Sequence, residues 1–421
     1  MSPDEQASVR LHDWFAPPVV GAGLLVLAAG FGQFGAVAAL GDVAESFGEV
    51  RPGDTIAEQA GLSGTALGVG LGIIRLASVL SLPLAGLADR VGRRVTLLWF
   101  CMTGLLLTAS ASLSPTYWWF IALFASSRPF LTATVNIGQV TAAEHTGAAN
   151  RAKAIALVAA AYGTGAGLIA VTRGLAPDDF GFRGVFALAV VPMLLVPFVA
   201  RRVTEPDRYR AAEAAEDKPI PVLGAVAPRF LRRLAVLAAL VFAVAVITGP
   251  ANSFIFLYAE NVVGLSPTAT AGMVVASAPA GITGLLVGRW AADTVGRRGA
   301  GAAAMVLMAL AGIVTYSGPA PAAIAGYLGA VAAGSVFAPA AGAMAAELFP
   351  TEVRATVAGW IVVSGVLGAV AGLMSFGAMA DAYEEFGGAS LALFSPAAAV
   401  AVLFALVPET KGRELEDWAE G

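Results

Sequence analysis

Charge is what this chain has least of. Asp, Glu, Lys and Arg supply 13% of its 421 residues, about half the share of a soluble domain. With 58% hydrophobic residues and a mean hydropathy of +0.78, that shortage excludes a water-soluble globule and implies a polytopic membrane protein. Cysteine is nearly absent too: Cys101 stands alone in an apolar run, so no intrachain disulfide can form. The two histidines, His12 and His145, fall outside the apolar runs and have no metal-ligand spacing around them. No serine occupies a nucleophile elbow. Gly163, Gly165 and Gly167 lack the lysine and hydroxyl context of a phosphate cradle and read as helix-packing points. No enzyme activity, cofactor, metal or nucleic-acid partner is expected. The first sixteen residues, with Asp4, Glu5, Arg10 and Asp13, lack the basic start and cleavage site of a signal peptide and read as a cytoplasmic tail.

What is present is a series of long apolar runs. Crossing the hydrocarbon core takes about 20 apolar residues. Alanine- and leucine-rich runs without period-two alternation predict helices rather than strands. Twelve spans are expected near 18–42, 63–87, 95–113, 117–142, 153–172, 184–201, 234–258, 267–289, 299–317, 321–346, 355–380 and 389–407. The expected fold is therefore an all-α membrane protein of twelve transmembrane helices in two pseudo-symmetric six-helix bundles, 18–201 and 234–407. Tails 1–17 and 408–421 flank them. A polar linker, 202–233, joins them and carries Glu205, Glu213, Glu216, Asp217, Lys218, Pro219 and Pro221.

Orientation follows from the basic residues. With the N-terminus inside, twenty lie in cytoplasmic segments, among them Arg90, Arg93, Arg94, Arg151, Arg297, Arg298 and Arg354. Only Arg51, Arg173 and Arg183 lie outside. That bias predicts a multi-pass protein of the cytoplasmic membrane with both termini cytoplasmic. The remaining two, Arg75 and Arg128, fall inside spans, where no acid accompanies them away from a helix end.

The two halves repeat one another. Asp89-Arg90-Val91-Gly92-Arg93-Arg94 returns 204 positions later as Asp293-Thr294-Val295-Gly296-Arg297-Arg298. Gly61-Leu62-Ser63-Gly64 returns at an offset of 203 as Gly264-Leu265-Ser266-Pro267, and each serine can cap the helix that follows. Glu144 and Arg151 return as Glu347 and Arg354 at 203, and Glu205 beside Pro206 mirrors Glu409 beside Pro408 at 204. Several landmarks at offsets of 203 and 204 imply six helices plus six.

These residues resemble the major facilitator superfamily of secondary transporters, over essentially the whole chain. Ala85 to Arg94 is similar to that family's signature between helices two and three, and Asp293 to Arg298 to its echo between eight and nine. Glu347 to Thr356 and Pro408 to Arg413 resemble the corresponding segments of sugar porters and metabolite–proton symporters. There are departures: Ala85 replaces the signature's leading glycine, and Arg128 is followed four residues on by Thr132 where exporters carry glycine. Gly32 stands where many exporters carry a first-helix acid, and the run from Tyr162 to Gly167 lacks their proline. The resemblance implies alternating access, with two bundles rocking about a central site.

Asp89 and Asp293 each precede an arginine by four residues. Such an acid can pair with that arginine and cap a helix of the opposite half. Together with Arg93, Arg94, Glu144, Arg151, Glu205, Arg297, Arg298, Glu347, Arg354 and Glu409 they would form an inner-face latch; the plainer reading is topogenic loop charge. Arg75 lies 14 residues before Asp89, ~21 Å along a helix, and Arg128 lies 16 before Glu144, ~24 Å. A mid-membrane arginine costs at least about 3 kcal/mol unless it faces a partner or a wet cavity. Each is either a helix-packing residue held by carbonyls, Gln33, Asn136 or Tyr162, or a receiver of an anionic substrate. Gln33, Phe34, Asn136, Gln139, Asn252, Phe256, Tyr258, Ser335, Phe337 and Trp360 are further cavity candidates, with interhelical packing as the alternative.

The expected activity is secondary active transport of a small polar metabolite, anionic if Arg75 or Arg128 binds it, coupled to protons, with Asp42 or Glu260 as possible carriers of coupling. The chain is expected to work in the lipid bilayer as a monomer. The alternative is a drug or multidrug efflux antiporter of the same superfamily.

Overall fold

A computed structural model describes residues 13–50, 59–147, 150–177, 180–205, 224 and 226–411. The first twelve residues with His12 and Arg10, Arg51, most of the linker and the end of the C-terminal tail lie outside the described residues. Among the described residues twelve helices are long and apolar enough to cross a membrane. We number them α1 (Pro17–Ala38), α2 (Gly64–Val91), α3 (Arg93–Leu113), α4 (Tyr117–Glu144), α5 (Arg151–Leu175) and α6 (Gly181–Val199). The second set is α7 (Pro228–Ser253), α8 (Pro267–Thr294), α9 (Arg297–Tyr316), α10 (Ala320–Glu347), α11 (Thr351–Tyr383) and α12 (Phe386–Leu406). The protein is an all-α, multi-pass membrane protein, as its apolar runs imply.

Local chemistry sets the helix starts. Ser63 accepts from the Ala66 N–H at 3.2 Å and Ser266 from that of Ala269 at 3.2 Å, the equivalent caps of α2 and α8. Pro17, Pro228 and Pro267 stand in the first turns of α1, α7 and α8, where a missing N–H costs nothing. Gly92 and Gly296 enter α3 and α9 with φ of 107° and 110°, a region that side chains rarely occupy. Several spans run past their hydrophobic stretch: α2 continues through Asp89 and Arg90 to Val91 and α8 to Thr294. Hydropathy marks the membrane, whereas helical hydrogen bonding continues into water. Trp99, Trp118, Trp119 and Trp290 are exposed near span ends, where indole rings suit the interface.

The chain forms two compact units, divided inside its second helix. Unit 1 runs to Ala39 and resumes at Ala77, through α6; unit 2 comprises Leu40–Leu76 and the described residues from 224 onward. A 3-10 turn at Ser78–Leu80 interrupts α2 beside that division, and the short helix Leu40–Phe47 follows the end of α1. In unit 1, α1, α3, α4 and α6 pack around Leu25, Leu97, Phe100, Leu105 and Leu131. Unit 2 centres on an aromatic cluster of Phe254, Tyr258, Tyr316, Phe376, Phe386 and Phe394.

Candidate functional site

Each unit carries the same charge network at the end of its helices. In unit 1, Arg93 opens α3 and pairs with Asp89, one turn back on α2, and with Glu144 at the end of α4, at 3.2 Å. Glu205, just beyond α6, accepts from the backbone N–H groups of Arg93 and, at 3.0 Å, of Arg94. The Arg94 side chain donates to the carbonyls of Val203 at 2.8 Å and Ala200 at 3.2 Å. In unit 2, Arg297 pairs with Asp293 at 3.5 Å and Glu347 at 3.2 Å. Glu409 accepts from the N–H groups of Arg297 at 2.9 Å and Arg298 at 3.1 Å. A Cβ on Gly92 would lie 3.0 Å from the Glu205 carboxylate, and one on Gly296 2.6 Å from that of Glu409. The turn glycine thus admits the capping acid.

Within each unit the cap is a glutamate, Glu205 on α3 and Glu409 on α9, rather than the aspartate. Glu144 and Glu347 engage the turn arginines rather than Arg151 and Arg354 seven residues on; the Arg354 guanidinium donates to the Phe349 carbonyl at 3.3 Å. The aspartates are also the exposed members: Asp89 and Asp293 side chains are 38% and 62% exposed, against 20% and 21% for Glu144 and Glu347. Exposed i,i+4 pairs are worth only about 0.3–0.5 kcal/mol. The less exposed glutamates therefore build the turn, and the aspartates can exchange partners cheaply.

The titration of Glu409 fits its capping role. Burial opposes its charge, but the backbone N–H groups of Arg298, Arg297, Lys411 and Thr410 outweigh that and hold its carboxyl below the usual range.

A second polar group lies in the apolar interior of unit 1. A Cβ on Gly30 would fall 2.2 Å from the Tyr162 carbonyl, and one on Gly165 2.0 Å from that of Leu27. Only small residues let α1 and α5 approach this closely, and the approach brings Tyr162 to Gln33. The Tyr162 hydroxyl donates to Gln33 Oε1 at 3.4 Å, and Arg128 Nη1 donates to the Gln33 backbone carbonyl at 3.3 Å. Arg128 is 9% and Gln33 6% exposed. Pro129 follows Arg128 inside α4 and withholds the N–H that Ala125 would otherwise receive. Gln33 Nε2 is buried with no hydrogen-bond partner among the described residues. Leaving such a donor unmet costs about 1–3 kcal/mol, so this amide calls for an acceptor.

Arg75 is exposed in the last turn of the first segment of α2, in unit 2, and Asn136 is exposed on α4. Asn252 folds back onto the Thr248 carbonyl at 2.9 Å. Phe256 and Tyr258 are buried, and the Tyr258 hydroxyl is committed to the Gly318 carbonyl at 3.2 Å. Trp360 is 41% exposed and donates to the Gly224 carbonyl at 3.1 Å.

One contact went unread in the sequence. Asp381, at the end of α11, accepts from the N–H groups of Gly64 at 2.7 Å and Thr65 at 2.8 Å and from the Thr65 hydroxyl. It caps α2 within unit 2. Below it the two helices touch: a Cβ on Gly68 would lie 2.4 Å from the Leu373 carbonyl, and one on Gly377 2.0 Å from that of Gly64. The four-residue spacing of Gly64, Gly68 and Gly72 was the available signal.

The family model described as Major Facilitator Superfamily matches residues 22–332. No curated protein matches the chain. Among solved structures, an inward-open conformation of the xylose transporter XylE from E. coli superposes with a TM-score of 0.73 at 18% identity, covering 96% of this chain and 98% of that one. A D-xylose–proton symporter gives 0.71 at 17%, covering 94% and 99%. A bacterial homolog of the human lysosomal transporter Spinster, inward-facing and occupied, gives 0.67 at 15%, covering 92% and 94%. At these identities the likeness establishes the fold.

Proposed function

The chain belongs to the major facilitator superfamily and is a transporter rather than an enzyme; from that premise we propose that it moves a small polar, anionic metabolite across the cytoplasmic membrane by alternating access, coupled to protons. The observation that carries the substrate class is the buried amide of Gln33, unmet at Nε2 beside the Arg128 guanidinium. A substrate carboxylate would satisfy the amide and offset the cation, and charge-assisted bonds of that kind are about twice as strong as neutral ones. Tyr162 holds one end of the amide, which leaves the other to the ligand. Asp42 or Glu260 carries the coupled proton. The xylose–proton symporter named above is a precedent for proton coupling on this fold. The basic residues around Arg93 and Arg297 face the cytoplasm in this reading, with both termini on that side.

A thermal-shift screen of carboxylates, sugars, amino acids and aromatic drugs on wild type, Arg128→Gln and Arg75→Gln tests it. Carboxylates are expected to stabilise the wild type and to lose about tenfold or more in affinity in Arg128→Gln. Shifts by aromatic drugs alone, unchanged in both variants, would favour efflux instead. Counterflow in proteoliposomes, followed by a pH jump without sodium, then tests transport and its proton.

A further inference from the structure

We propose that unit 1 carries a binding site for one anionic phospholipid, in the groove between α1 and α6. The groove is about 470 Å³ and runs along Leu24 and Leu27 of α1 and Leu195 and Phe198 of α6, ending at Arg201 and Arg202. Leu195 and Phe198 are 55% and 66% exposed, as suits a surface that meets acyl chains. Pro192 to Val199 spans ~10 Å at 1.5 Å per residue, enough to seat part of one chain.

The head of the groove is cationic by construction. Arg201 and Arg202 are both exposed, and neither has an ion-pair partner among the described residues. Arg94 adds a third charge from α3 by donating to the carbonyls of Ala200 and Val203. Glu205, the acid nearest in sequence, is already committed to the N–H groups of Arg93 and Arg94. Arg202 is fixed from behind, since a Cβ on Gly21 would meet Val203 Cγ2 at 2.9 Å and Arg202 Cβ at 3.4 Å. An apolar trough that ends in guanidinium groups matches a fatty chain joined to a phosphate. A free phosphate would use the arginines but leave the trough exposed.

Such a lipid would do more than coat the protein. The Ala200–Glu205 segment it touches is the one that caps α3 and holds Arg94. The lipid would therefore brace the turn containing Arg93 from its membrane side.

Native mass spectrometry on detergent-purified protein mixed with equal amounts of dioleoyl-phosphatidylglycerol and dioleoyl-phosphatidylcholine tests this. The wild type is expected to retain one phosphatidylglycerol in preference. The double variant Arg201→Gln, Arg202→Gln should lose roughly 25-fold in retention, about fivefold for each arginine. Leu195→Trp, which fills the trough without touching charge, should also release the lipid. The control pair Arg229→Gln, Arg232→Gln removes two exposed arginines from unit 2 and should leave retention unchanged. Equal loss in that control, or unchanged retention in either groove variant, would overturn the site. Competition by glycerol 3-phosphate as effective as by the lipid would overturn it as well, by leaving an anion site without a chain.

Discussion

Glu409 accepts from the backbone N–H groups of Arg297, Arg298 and Lys411, at 2.9, 3.1 and 3.2 Å. Its folded carboxyl lies below the ordinary value. The stabilisation is therefore complete above the unfolded glutamate pKa of about 4.3 and is lost as pH falls through the folded value. Glu409→Gln should cost about 0.5–2 kcal/mol at neutral pH and flatten the acid limb of thermal unfolding in detergent; an unaltered acid limb would deny Glu409 this part. Polarity inside a span marks Gln33 in the sequence, beside Arg128 and Tyr162. That one end of its amide is left unmet depends on how α1 lies against α5, which no local pattern encodes.

At the scale of elements, the contact of α2 with α11 is the sharpest case. Asp381→Asn keeps one acceptor but removes the charge that serves two N–H groups and a hydroxyl. It should weaken the capped end of α2 by about 0.5–2 kcal/mol. Gly68→Leu drives a side chain against the Leu373 carbonyl and should cost more, at least about 1–3 kcal/mol. Spin labels at Leu62 and Glu384 in a Cys101→Ser background would register both as a population with the helix ends farther apart; a single unchanged distance in both variants would show that the contact does not hold the ends together. The spans themselves were legible, because apolar runs of this length have few alternatives in a membrane. Their ends were less so. Asp381 falls one residue beyond the predicted span 355–380, although α11 continues to Tyr383.

For the whole molecule, duplication was visible from the 203- and 204-residue offsets, and it reappears as two networks with the same donors and acceptors. What the repeat could not convey is that the aspartate is the exposed member of each network. Asp89→Asn should accordingly leave folding and membrane insertion intact while slowing transport in reconstituted vesicles; wild-type rates would confine Asp89 to topology. Nor could the repeat convey the division inside α2, whose first segment folds with helices encoded near the end of the chain. That division has a consequence for biosynthesis. Gly64 and its partner Asp381 are 317 residues apart, so at roughly 5–20 residues per second the ribosome needs about 15–60 s to deliver one after the other. Over that interval the glycine face of α2 waits in the membrane without α11. A nascent chain arrested before Asp381 would present that bare face to other helices, and quality-control proteases would meet it there first.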